Sequence, residues 1–136
     1  MKNQKLAIKI LLGIFTAVIL FHISILLKIV PYEITWGGRL KNDTEMYVFE
    51  SLSLLINSLL IAVLLMKGNY IKAFLSTKTV SVILWVFCVL FGLNTIGNIF
   101  AETNFEKFFT IITLASSFLI WSILRSDKKI TTNSEK

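Results

Sequence analysis

The sequence predicts an all-α integral membrane bundle of four transmembrane helices. Three observations carry this. The mean hydropathy, +0.76 over 136 residues, is too high for a soluble domain of this size. Four apolar runs, about residues 6–30, 46–66, 80–101 and 105–124, account for it. Each is about 20 residues or longer, the length a helix needs to cross roughly 30 Å of hydrocarbon. Within the runs polar and apolar residues do not alternate, which argues against a β-barrel. In lipid the backbone must satisfy its own hydrogen bonds, so the runs are expected as helices. The whole chain, 1–136, is expected to be one domain with a short tail after residue 124 that frays.

The first run begins with Lys2, Lys5 and Lys9, as a secretory leader would. Its apolar part is too long for one, and bulky Ile29, Val30 and Pro31 follow where small residues would mark cleavage. It is expected as a retained anchor, ending just before Pro31, since proline disfavours helix in the residue before it.

Asn42 with Glu45 three residues on forms a capping box for the second helix. Lys67 and Gly68 supply a basic last turn and a C′ glycine at its end. In the connection "KGNYIKAFLSTK", Tyr70, Ile71, Phe74 and Leu75 share one side of an expected helical turn lying along the headgroups. Thr103 and Glu106 form a second capping box. Helices 3 and 4 are then joined by about three residues and must be antiparallel neighbours.

Charge gives the orientation. Ten of the 14 basic residues lie at the N-terminus, around the second connection or in the tail. The positive-inside rule puts both termini and that connection in the cytoplasm. The net charge of +6 therefore reflects orientation and anionic lipid, not nucleic acid. A bacterial cytoplasmic membrane is the expected location. The stretch "YEITWGGRLKNDTEMYVFE" then faces outward, as an ordered loop between helices 1 and 2.

Composition also excludes chemistry. Cys88 stands alone, so there is no disulfide within the chain and no CxxC redox pair. It reads as a small apolar core residue. No nucleophile elbow, phosphate-binding loop or zinc-protease motif occurs. One histidine cannot supply bis-histidine haem, and neither metal nor cofactor is expected.

What remains is polar residues inside apolar runs, which are costly and need a partner or a job. Helix 2 carries Glu50, Ser53 and Asn57 at helical spacing. Helix 3 carries Asn94, Asn98 and Glu102, each four apart, and helix 1 carries His22. By helical rise, Glu50 and Asn98 lie roughly 6 Å below the outer helix ends, His22 and Asn94 about 12 Å and Asn57 about 16 Å. The inner halves are nearly all apolar.

These residues are expected to line a polar pocket in the outer half. Glu50, His22 and Glu102 are the catalytic or titrating candidates. Trp36, Arg39, Asn57, Asn94 and Asn98 are the ligand-binding candidates, with Arg39 neutralising Glu50 or Glu102. The "WGGR" glycines permit left-handed backbone whose amides bind an anion. Against this, single asparagines often serve only as interhelical hydrogen bonds, and Arg39 could simply pair with Glu33 or Glu45.

Three functions fit: a pocket binding or acting on a polar-headed lipid or small amphiphile; proton- or cation-coupled small-molecule transport as a homo-oligomer; and an accessory subunit docking on a larger membrane complex. The expected partners are membrane lipid and a small amphiphilic or anionic ligand.

Overall fold

The computed structural model describes residues 2–36, 40–100 and 104–134. Four helices make up nearly all of it: α1 (Lys2–Leu26), α2 (Asp43–Lys67), α3 (Thr77–Ile99) and α4 (Asn104–Ser134). Among the described residues there is no strand. All four helices are long and apolar enough to cross a membrane.

The helices form an antiparallel ring in which α1 packs on α2 and α4, and α3 packs closely on α4 and more lightly on α2. At one end Lys28 meets Asp43; at the other Ile8 lies beside Gly68. The main core fills the end that carries the α2–α3 connection. It joins Leu11 and Phe15 of α1, Leu60 and Leu64 of α2, Leu84 and Phe87 of α3, and Ile120 and Ile123 of α4. Phe15 stacks on Phe91 with centroids 5.2 Å apart, tying the diagonal pair α1 and α3. A smaller cluster of Ile25, Leu40 and Met46 closes the other end between α1 and α2. Outward faces carry exposed apolar side chains such as Leu20, Leu55 and Phe118. That surface suits lipid far better than water.

The helix ends show where local chemistry wins. α1 stops at Leu26, four residues short of the end expected from Pro31. Ile29 N–H bonds Ser24 O (2.9 Å) and Lys28 N–H bonds Ile25 O (2.8 Å), with Lys28 left-handed at φ 56°. This is a Schellman turn with lysine in the position usually held by glycine. α2 ends the same way. Tyr70 N–H reaches Leu65 O (2.9 Å) and Asn69 N–H reaches Met66 O (3.1 Å). Asn69, at φ 58°, takes the left-handed position expected of Gly68. Gly68 matters for space instead: a Cβ there would fall 2.5 Å from the Tyr70 ring.

After that reversal the chain runs irregularly to Ser76, and the expected interfacial helical turn does not form. Tyr70, Ile71 and Phe74 remain exposed, while Leu75 packs on the core. α3 starts three residues earlier than expected, because Ser76 caps it by accepting Thr79 N–H (3.1 Å). The α2 cap is the expected one, with Asn42 Oδ1 accepting Glu45 N–H at 2.9 Å. Glu45 in return accepts Lys41 N–H (2.9 Å), one residue earlier than the standard box. Past Arg125 the chain continues as helix to Ser134 where a frayed tail was expected. No proline or glycine interrupts that segment. Thr103 lies outside the described residues, as does the side chain of Glu106, so the second capping box does too.

Candidate functional site

Pro31 follows the Schellman turn in extended backbone and opens a short 3-10 turn, Tyr32–Ile34. Thr35 fastens the turn, its hydroxyl donating to Tyr32 O at 2.7 Å. The next residue, Trp36, has φ 54°, a left-handed conformation that costs a side-chain-bearing residue about 1–3 kcal/mol. That turn swings the indole back onto α2, where its ring packs on Phe49 with centroids 5.0 Å apart.

Trp36 Nε1 donates to Glu50 Oε1 at 2.9 Å. The other oxygen, Oε2, lies 2.5 Å from His22 Nδ1 on α1. Glu50 is 0% exposed. Both of its oxygens are therefore engaged by ring nitrogens, one from α1 and one from the α1–α2 connection.

A carboxylate only accepts, so one hydrogen must lie between His22 Nδ1 and Glu50 Oε2. It resides on the nitrogen when Glu50 is ionised, and on the oxygen when the acid is neutral. Phe21 flanks the imidazole, with ring centroids 5.9 Å apart, and also packs on Phe109 of α4 at 5.8 Å. Just outside, exposed Lys28 pairs with Asp43 and lies over the Tyr47 ring, 5.8 Å from its centroid. Its hydrogen bond to Asp43 raises the Lys28 pKa above 10.5, although Lys28 is not buried.

The other sequence candidates are placed differently. Asn57 is half-buried and donates to Ser53 O of its own helix at 2.8 Å. Asn94 is exposed and Asn98 half-exposed. Neither carries a hydrogen bond from its side-chain amide among the described residues, and α3 faces α4 with Cys88, Thr95 and Gly92 instead. Arg39 and Glu102, with Gly37, Gly38 and Ala101, lie outside the described residues. No group of three metal-ligating side chains occurs among the described residues. A recess of about 650 Å³ lined by Asn3, Lys5, Lys9 and Tyr70 sits at the opposite end from Glu50. It is open and lined by exposed lysines, whereas Glu50 is fully buried.

Glu50, His22 and Trp36, all expected from the sequence as site residues, come together here, with the Trp36 indole on Glu50. The expected pairing of Arg39 with Glu50 or Glu102 lies outside the described residues. The signal for the indole was the tryptophan directly before two glycines, a place where the chain can reverse. The α3–α4 polar contacts were missed altogether. Thr95 Oγ1 meets Thr113 Oγ1 at 3.0 Å, and the Ser117 hydroxyl donates to Cys88 O at 2.8 Å. Compared with known protein families, with curated proteins and with solved structures, the chain matches none.

Proposed function

We propose that this is a multi-pass membrane protein with both termini in the cytoplasm, and that it takes up a proton or small cation at the Glu50–His22 pair. The observation that supports this reading best is the fully buried carboxylate sharing one hydrogen with an imidazole at 2.5 Å. An intramembrane carboxylate is expensive to keep charged, and such groups mark proton or ion sites. Imidazole is the side chain whose ordinary titration falls near neutral pH. Access comes from the side of the α1–α2 connection, where Trp36 is the cover. The main core at the other end is built largely of apolar side chains, which speaks against conduction across the bilayer by a single chain.

The test is infrared difference spectroscopy of the purified protein in lipid, between acidic and alkaline pH. A carboxylic acid C=O band that appears on acidification and vanishes in Glu50→Gln is the expected result. An identical difference spectrum in Glu50→Gln overturns the reading. The orientation is tested separately. A cysteine placed at Asn42 in a Cys88→Ala background should label in intact cells, and labelling only after permeabilisation reverses the topology.

A second reading, a site for a polar-headed amphiphile, is favoured by the cover itself. Trp36, which bonds Glu50 directly, is itself 39% exposed and sits on a strained, left-handed turn. Displacing the indole would free Oε1 for a donor-bearing headgroup, with the aromatic face beside it. Quenching of Trp36 fluorescence by a single-chain amine, lost in Glu50→Gln, is the expected sign; no change on addition of the amine argues against it.

A further inference from the structure

We propose that the exposed flank of α3 is the seam on which a second copy of this chain packs within the bilayer, closed at Gly97 and fastened by Asn94. The proposal rests on reading the four helices as membrane spans.

Two independent observations meet on this flank. The first is Gly97. It stands inside α3, where glycine costs about 1 kcal/mol relative to alanine. Among the described residues nothing occupies that space, since a Cβ built at Gly97 meets no atom within 4 Å. A Cβ at Gly68, by contrast, would fall 2.5 Å from the Tyr70 ring. A glycine with open space around it suits a backbone that must be approached closely from outside.

The second is Asn94, three residues earlier and hence on the neighbouring part of the same face. It is exposed inside an apolar span. Several other polar side chains in the spans bond their own helix: Thr16 to Leu12 O, Asn57 to Ser53 O, Ser116 to Ile112 O. Asn94 makes no such bond among the described residues. An amide left unpaired in hydrocarbon costs several kcal/mol, so the partner has to come from outside the chain.

The chemistry of the flank selects that partner. Its other members, Val86, Leu90 and Leu93, are apolar and exposed. No charged residue occurs between Lys78 and Glu102, so a charged partner finds no counter-charge. The carboxamide carries donor and acceptor together. Two copies of Asn94 related by a two-fold axis therefore satisfy each other without any further group. Acyl chains cannot do so.

The experiment uses the full chain in lipid vesicles, washed with alkaline carbonate, with dimer fraction followed by single-molecule photobleaching over a dilution series in lipid. Wild type should associate. Asn94→Leu should weaken association roughly 3- to 20-fold, the range measured for intramembrane hydrogen bonds. Gly97→Leu should weaken it at least as much. Gly13→Leu is the control, since Gly13 is equally open but lies on α1. Helical content checks that the variants fold. A short crosslinker should join copies bearing Leu93→Cys in a Cys88→Ala background, and not those bearing Leu20→Cys. Monomeric wild type at every dilution, or unchanged association in both Asn94→Leu and Gly97→Leu, overturns the seam while leaving the membrane reading intact. Weakening by Gly13→Leu alone also overturns it. A chain removed by the carbonate wash overturns the membrane reading, and the seam with it.

Discussion

His22 Nδ1 and Glu50 Oε2 lie 2.5 Å apart across the α1–α2 pair, 28 residues apart in the chain. Removing the acid takes the hydrogen-bond partner from both His22 Nδ1 and Trp36 Nε1–H, at a carboxylate that is itself fully buried. Glu50→Ala is expected to destabilise the protein by about 1–3 kcal/mol for each donor stranded. Glu50→Gln keeps the volume and one carbonyl acceptor, so it should cost less. Denaturant titration in detergent, followed by circular dichroism, measures both. Equal stability of Glu50→Ala and wild type would show that the pair does not hold the helices.

Trp36 reaches the second carboxylate oxygen, and its ring also packs on Phe49. Trp36→Phe retains an aromatic ring and deletes the N–H. It should cost about 1–3 kcal/mol through the unpaired oxygen and speed hydrogen exchange at the start of α2. Exchange rates unchanged around residue 50 would mean that the indole is not the cover.

Lys28 and Asp43 form an exposed pair at the same end. The Lys28 pKa is raised by its hydrogen bond to Asp43, so the pair favours the folded state fully below the unfolded value of 10.5 and loses that effect as pH rises through the folded value. Stability should therefore show no pH dependence from Lys28 near neutral pH, where the pair's contribution is fully present. Asp43→Asn should bring the Lys28 titration back down toward 10.5, read by NMR of the Nζ resonance. A titration that does not move would show that Asp43 is not its partner.

Thr95 and Thr113 couple α3 to α4 through hydroxyls 3.0 Å apart. A double-mutant cycle with Thr95→Val and Thr113→Val should return a coupling of about 0.6 kcal/mol, and at most about 1.7 kcal/mol. Strict additivity of the two substitutions would remove the bond from the account of this helix pair.

Cys88 is buried in the main core beside Ser117. Its thiol should resist maleimide under native conditions and react only as the bundle opens, so labelling should track global unfolding. Rapid labelling of the folded protein would mean that α3 and α4 separate readily.

By itself the sequence determined the four apolar helices, because length and composition are local properties that the physics of lipid converts directly into helix. It also determined the α2 cap, since Asn42 and Glu45 meet within one turn. It named Glu50 and His22 because a titratable group in an apolar run is visible without any fold. Which groups would meet was another matter. Nothing local says that a Schellman turn at Lys28 and a left-handed Trp36 bring an indole to the carboxylate. Nor could helical spacing tell which flank of α3 faces α4. Asn94 and Thr95 are neighbours in sequence, yet about 100° of helical rotation leaves one exposed and buries the other against Thr113. Pairing across 14 to 28 residues depends on how the helices rotate as their apolar side chains interlock, and only the tertiary packing decides that rotation.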